Sequence, residues 1–116
     1  MDIVLATVQL DLRMALQILL REEPGVRVVG TASSSASLRA LLQASRPDMV
    51  LFDWDLPGMA AEDLLTALRQ TCTELAVIVL SGLPEAEDRA LAAGADAFVS
   101  KADPPEQLLA EICATG

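Results

Sequence analysis

Apolar residues along this chain follow two alternating patterns. Short, mostly apolar runs are typical of strands that are buried on both faces of a sheet. Between these runs, leucines recur every three or four residues, which is the period of an amphipathic helix. The runs predict five strands, at residues 3–6, 26–29, 49–53, 76–80 and 97–99.

The segments between and after these strands predict five helices. The first covers about residues 11–23, and the second begins among serines 33–35 and ends before Pro47. The third covers residues 60–71, the fourth has Pro84 as its first residue and ends at Ala93, and the fifth opens at Pro104-Pro105. The side chains predicted to face the core are Leu12, Leu16, Leu19, Leu20, Leu38, Leu41, Leu42, Leu64, Leu65, Leu68, Leu108, Leu109 and Ile112.

Regular alternation of strands and helices with short connections predicts an α/β fold. Right-handed crossovers carry each strand to a parallel neighbour and place helices on both faces of the sheet. A chain of 116 residues has the length of one domain with its own core. The sequence has no repeat, low-complexity segment or internal linker.

Composition and charge exclude several classes of function. The chain carries 17 acidic against 8 basic residues, a net charge of −9, which argues against binding of nucleic acid by this domain alone. No run approaches the roughly 18 apolar residues of a membrane span. The first residues, MDIVLATVQL, enter a strand pattern without a basic leader, so we expect no signal peptide and a cytoplasmic protein.

The absence of histidine excludes a hydrolase triad with a histidine base and a histidine-ligated zinc site. Cys72 and Cys113 lack the spacing of metal ligands. We expect both to be reduced packing residues.

Three predicted strands end in side chains of complementary chemistry. Asp53 is an anion, Ser81 a hydroxyl and Lys101 a cation. Because parallel strands end at the same edge of a sheet, these groups can converge where α/β folds bind ligands. A nucleophilic carboxylate, a hydroxyl and a neutralising ammonium suit phosphoryl transfer to aspartate. The alternative is three unrelated loop residues, of which Asp53 caps a turn.

With these residues in order, the whole chain resembles the receiver domain of bacterial two-component response regulators. Pro57-Gly58 matches the loop after the acceptor aspartate, and residues 94–112, GADAFVSKADPPEQLLAEI, are especially similar to receivers that precede a LuxR/NarL-type helix-turn-helix domain. The resemblance implies a flavodoxin-like (CheY-like) three-layer fold with strand order 2-1-3-4-5. It also implies that Asp53 is the phospho-acceptor position, Ser81 and Phe98 the switch residues, and Lys101 the lysine that contacts phosphate.

One departure from the family is large. Where the family has two adjacent acids that hold Mg²⁺, this chain has Thr7 and Val8. Mg²⁺ favours carboxylate ligands, so we expect its binding to be weak or absent and no other cofactor to be required. Asp53 and Lys101 sum to zero charge, which predicts that they pair directly.

Two other acids bear on this site. Asp55 is expected to face solvent, although its carboxylate is a candidate weak ligand beside Asp53. Asp11 lies three residues beyond Val8. Normal phosphorylation, with Asp55 or Asp11 as a substitute ligand, therefore stays open as an alternative.

The interpretation is an atypical receiver, covering residues 1–116, that is a signalling module and not an enzyme. It is expected to be the regulatory domain of a DNA-binding transcriptional regulator whose output domain lies outside this chain. Its partner is a histidine kinase or another regulatory protein, a homodimer is a further option, and no membrane is involved.

An enzyme is the alternative from a different class of function. FDWDLP also resembles the aspartate-x-aspartate motif of haloacid-dehalogenase-type phosphatases. That motif, however, closes the first strand of its domain and needs a downstream acidic pair, whereas only isolated acids follow Lys101 here.

Overall fold

The computed structural model describes all residues, 1–116, as five parallel strands that alternate with five helices. The strands are β1 Asp2–Ala6, β2 Arg27–Ala32, β3 Met49–Asp53, β4 Ala76–Ser81 and β5 Ala97–Ser100. The helices are α1 Leu10–Arg21, α2 Ser35–Ser45, α3 Ala61–Thr71, α4 Ala86–Ala93 and α5 Pro105–Thr115. The sheet order is β2-β1-β3-β4-β5, so the predicted flavodoxin-like topology is confirmed.

Strand β3 is the centre of the molecule, and all five of its residues are buried. Because successive side chains of a strand point to opposite faces, Val50 and Phe52 lie on one side and Met49 and Leu51 on the other. The first pair belongs to a core layer shared with α2, α3 and α4, and the second to a layer shared with α1 and α5. The three-layer arrangement follows from this alternation.

Strand β2 is longer than the sequence predicts, since it continues past Gly30 to Ala32. The prediction that Gly30 closes the strand is therefore wrong. Gly30 pairs with Val4, and a Cβ at Gly30 would lie 2.8 Å from a methyl of Leu41. The glycine is thus a point of close helix-to-strand packing and not a turn.

Helix α4 begins two residues later than predicted, because Pro84 belongs to a preceding turn. The amide of Ala86 donates to the carbonyl of Leu83 at 3.0 Å, and Glu85 occupies the N-cap position. Helix α2, by contrast, begins as predicted: Ser34 and Ser37 form a reciprocal capping box.

The prediction that both cysteines are packing residues fails for Cys113, which is exposed on α5. Cys72 packs partly against the core just after α3.

None of the five helices combines the length and apolar character that a membrane crossing requires.

Candidate functional site at the carboxyl edge of the sheet

Asp53 is the last residue of β3 and is fully buried, with an exposed fraction of 0%. In register, β1 ends beside β3 with Ala6 opposite Phe52, and β4 pairs Leu80 with Asp53. The loops that follow β1 and β5 supply its side-chain partners, Thr7 and Lys101. A buried charge is costly unless it is paired and hydrogen-bonded, so its partners define the site.

Thr7, the first residue after β1, is one of those partners. Its hydroxyl donates a hydrogen bond of 2.6 Å to Oδ2 of Asp53. The same hydroxyl oxygen accepts the backbone amide of Gln9 at 3.0 Å, which fixes its orientation. The amide of Thr7 donates to the carbonyl of Ala32 on β2, so the donor is held by the sheet itself.

Lys101 contacts the other oxygen of the same carboxylate. Its ammonium lies 2.9 Å from Oδ1 of Asp53, and its side chain is 17% exposed. Oδ1 also accepts the backbone amide of Asp55 at 3.0 Å. The direct pairing of Lys101 with Asp53, which the charge count predicted, is present.

Two further groups hold the ammonium of Lys101. The side-chain carbonyl of Gln9 accepts from Nζ at 2.9 Å, and the carboxylate of Asp55 lies 3.9 Å away. The Asp55 side chain is 60% exposed and lies at the rim of the site. The sequence analysis does not single out Gln9, although this polar residue lies only three positions beyond the end of β1.

The side chains of Ser81 and Phe98 do not join this network. The Ser81 hydroxyl is buried and accepts the amide of Leu83 at 3.0 Å. Phe98 pairs with Val79 in the sheet register and packs partly buried against the core layer of α2, α3 and α4. The link from Ser81 to Lys101 runs through the backbone, where the amide of Lys101 donates to the carbonyl of Ser81.

Trp54, next to Asp53, lies under a side chain of α4. The guanidinium of Arg89 is 5.7 Å from the centre of the indole ring and pairs with Glu62 on α3. The hydrogen bond from Arg89 holds the pKa of Glu62 below its ordinary value. Arg89 therefore joins α3, α4 and the residue beside Asp53 through a cation–π contact and an ion pair.

The donor set of this site does not fit the Mg²⁺ that the family resemblance implies. Val8 is 53% exposed and its side chain has no ligand atom, while the hydroxyl of Thr7 donates its proton to Asp53. Asp11 lies exposed in the first turn of α1. Nowhere in the 116 residues do three or more acidic or cysteine side chains gather as metal ligands.

No buried polar side-chain atom in the protein lacks a hydrogen-bond partner. Asp53, Thr7, Lys101 and Gln9 thus form a closed network in which each buried polar atom is satisfied. One negative and one positive charge cancel at its centre, as in a buried ion pair with additional hydrogen bonds.

Comparison with known proteins gives the family. Residues 5–113 match the model of the response regulator receiver domain. The nitrate/nitrite response regulator protein NarL of Escherichia coli is 34% identical over 100 residues, which cover 84% of this chain and 46% of that protein. A protein-glutamate methylesterase/protein-glutamine glutaminase of Cereibacter sphaeroides is 39% identical over 95 residues, covering 77% of this chain and 25% of that one.

Solved structures agree with this result. A LuxR-family two-component response regulator from Aurantimonas superposes with a TM-score of 0.90 at 26% identity, covering 97% of this chain and 82% of that chain. A NarL signal receiver domain from Mycobacterium tuberculosis superposes with a TM-score of 0.88 at 27% identity, covering 99% of this chain and 96% of that chain. The fold agrees with these matches, and the chain belongs to the family of response regulator receiver domains of two-component systems.

Proposed function

We propose that this receiver domain regulates a partner without Mg²⁺-dependent phosphorylation of Asp53. The observation that carries the proposal is the hydrogen bond from Thr7 to Asp53, at a position where the family resemblance implies a metal-binding acid. Phosphorylation at Asp53 is weak or absent as a result. Regulation then depends on contacts with other proteins.

The hydrogen bonds of Asp53 support this proposal. Oδ2 is engaged by Thr7, and Oδ1 by Lys101 and the amide of Asp55. To act as a nucleophile, an oxygen must release a charge-assisted hydrogen bond, and each such bond contributes roughly 1.5–3 kcal/mol. The carboxylate is therefore stabilised in its unmodified form.

The charge of the site gives a second argument. Phosphoryl transfer requires positive charge around the equatorial oxygens of the transferred group. Lys101 is the one cation at this site, and it already neutralises Asp53. An incoming phosphoryl group would bring negative charge that no further cation beside Asp53 balances.

We propose that the whole protein is a transcriptional regulator, with this domain as its regulatory part. The chain spans about half the length of NarL, 46%, and related proteins include a probable transcriptional regulatory protein, SgaR of Hyphomicrobium methylovorum. With a net charge of −9, this domain leaves DNA recognition to another part of the protein. Its partner is a histidine kinase or another regulatory protein.

We further propose that the domain has no catalytic activity of its own. The methylesterase relative is matched over only 25% of its length. The phosphatase interpretation of FDWDLP conflicts with the receiver family match and with Asp53 closing the third strand along the chain.

One alternative to the main proposal is ordinary phosphorylation of Asp53 with Asp55 as a metal ligand. The carboxylate of Asp55 lies at this site, 3.9 Å from the ammonium of Lys101.

Chemical phosphorylation tests the proposal. The chain is incubated with acetyl phosphate and Mg²⁺, and its intact mass is measured over time. We expect no gain of a phosphoryl group, whereas the variant Thr7→Asp with Val8→Asp should gain one that Asp53→Asn removes. Phosphorylation of the wild-type chain at Asp53 would contradict the proposal and favour Asp55 as a ligand.

The same proposal predicts the behaviour of the intact protein in cells. Asp53→Asn keeps the size of the side chain and removes the acceptor. Because the proposed regulation does not use phosphorylation of Asp53, the regulated output should change little. An output that depends on a kinase and is lost in Asp53→Asn would show that phosphorylation is retained.

A further inference from the structure

A cleft lies at the edge of the sheet opposite to Asp53, between the carboxyl-terminal halves of α2 and α3. Its volume is about 730 Å³, and sites that bind small molecules usually have roughly 300–1,000 Å³. Asp48, just before β3, and Leu75, just before β4, line the cleft, so it lies at the amino edge of the sheet. It contains no residue of the Asp53 network.

The floor of the cleft is apolar. Leu42 of α2, Leu68 of α3 and Leu75 line it, and all three are buried in the core layer shared with α2, α3 and α4. A molecule that binds here therefore contacts apolar surface, which favours a ligand with an apolar body.

Two arginines line the α2 side of the cleft. Arg39 and Arg46 are seven positions apart, which places them on the same side of the helix. Arg27, Arg69 and Arg89 each form an ion pair, whereas Arg39 and Arg46 form none. In a chain with 17 acidic and 8 basic residues, two arginines without a carboxylate partner in one cleft are available to an external anion.

The backbone of Arg46 gives a second argument. With φ of +45°, Arg46 is the one residue other than glycine that has a left-handed conformation. Glycine is the usual residue in this conformation after a helix, and a side chain there costs stability. The position is therefore occupied by arginine for its side chain. Because a cation also offsets the dipole at this end of a helix, ligand binding must be measured to separate the two roles.

Negative charge at the cleft limits the charge of the ligand. Asp48 and Glu74 line both this cleft and a smaller one of about 410 Å³ beside the chain termini. The carboxylate of Asp48 accepts the amide of Asp2 at 2.7 Å. The carboxyl ends of α2 and α3 add partial negative charge. Binding of an anion therefore depends on both arginines, and a second negative group on the ligand would be repelled.

We propose that this cleft binds a small organic anion. Its aromatic or branched aliphatic body lies on the leucine floor, and its single charged group, such as a carboxylate or sulfonate, binds Arg39 and Arg46. A ligand of this kind gives the domain an input that needs no phosphoryl group. The inference does not rest on the proposed function, because the cleft and the Asp53 network share no residue.

A fluorescent anion tests the site. 8-Anilinonaphthalene-1-sulfonate, ANS, carries one sulfonate on an aromatic body. We expect a saturable rise in its fluorescence with a Kd of roughly 20–100 μM, which is usual for a ligand of about 20 non-hydrogen atoms. N-phenyl-1-naphthylamine has the same rings without the sulfonate and should show no saturable binding at the concentrations at which it dissolves.

Substitution of the arginines tests the charge requirement. Arg39→Gln and Arg46→Gly should each raise the Kd for ANS at least about fivefold, because each removes a charge-assisted contact. Glycine suits the left-handed backbone at residue 46, so this variant should stay folded. The control, Arg13→Gln with Arg21→Gln, removes two arginines of α1 that also lack ion pairs, and should change the Kd by less than about twofold. Circular dichroism checks that each variant is folded.

The two cysteines locate the bound molecule. Cys72 lines the cleft, whereas Cys113 is exposed on α5 outside it. Saturating ANS should slow the alkylation of Cys72 by N-ethylmaleimide and leave the rate at Cys113 unchanged, as measured by mass spectrometry of peptides.

Four results would overturn the proposal. They are no saturable ANS binding up to about 1 mM, equally tight binding of the neutral dye, a Kd unaffected by both cleft variants, and equal protection of the two cysteines, which would show adventitious binding only. None of them would bear on phosphorylation of Asp53, which is measured separately by mass.

Discussion

The hydroxyl of Thr7 donates a 2.6 Å hydrogen bond to the buried carboxylate of Asp53. Thr7 stands where the family resemblance implies an acid, and an acid there would repel Asp53 unless a cation lay between them. A hydroxyl reverses this relationship, because it stabilises the carboxylate directly. Together with the ammonium of Lys101 at 2.9 Å, it gives Asp53 a balanced environment made from the chain's own residues.

Removing the Thr7 donor should destabilise the protein. Thr7→Val keeps the shape of the side chain but leaves Oδ2 of Asp53 without its partner, at a cost of about 1–3 kcal/mol. Urea unfolding followed by the fluorescence of Trp54 measures the change. Thr73→Val, at an exposed position, is the matched control and should change the free energy of unfolding by less than about 0.5 kcal/mol.

Removing the cation should cost more. Lys101→Met leaves Asp53 as an unpaired buried charge and should lower the free energy of unfolding by about 3 kcal/mol. Asp53→Asn in the same chain removes that charge, so the double variant should recover part of the loss. If the losses of free energy in Lys101→Met and Asp53→Asn simply add in the double variant, the ion pair contributes little to stability.

The ion pair between Glu62 and Arg89 predicts a pH dependence near Trp54. Arg89 lowers the pKa of Glu62 in the folded protein, so this contribution to stability is complete above the ordinary value of 4.5 and is lost as pH falls through the lowered pKa. Arg89→Gln should therefore raise the pKa of Glu62, as measured by NMR titration of its side chain. Arg21→Gln on α1 should leave it unchanged, and an equal shift in both variants would argue against a specific pair.

Gly58 has a conformation that other residues rarely adopt, with φ of +114°. A Cβ at this position would lie 2.0 Å from Oγ of Ser35, which accepts the amide of Met59. Gly58→Ala should thus lower the free energy of unfolding by about 2 kcal/mol or more. Gly82→Ala, where a Cβ would meet nothing within 4 Å, is the control and should have little effect.

Much of the fold could be predicted from sequence because its signals are local. The apolar run Met49–Asp53 predicts a buried strand, and the helical spacing of Leu64, Leu65 and Leu68 predicts that these side chains are buried. The structure agrees on both. The start of α4 could not be predicted in the same way. Pro84 suits the first position of a helix and the turn before one equally well, and only the packing of Ala86 decides between them.

The site was less predictable, since its contacts join distant parts of the chain. Asp53 and Lys101 follow from their places at the end of one strand and just after another, and a charge count predicts their pairing. No sequence pattern predicts that Gln9 accepts a hydrogen bond from Lys101, 92 positions away. Periodicity correctly assigns Leu16 and Leu20 of α1 to the core, but it does not explain why Leu10, Met14 and Ile18 on the outer face are also apolar.

We propose that Thr7 and Lys101 hold Asp53 in place of a metal ion, and a titration with Mg²⁺ tests this. Trp54 is the sole tryptophan and adjoins Asp53, so its fluorescence reports on binding at this site. We expect no saturable change up to roughly 10 mM Mg²⁺, since the site lacks the carboxylates that the ion needs to shed its water. Thr7→Asp with Val8→Asp should bind the ion and, without it, be less stable than the wild type. A wild-type titration that saturates with a midpoint at or below about 1 mM would contradict the claim and identify Asp55 or Asp11 as a ligand.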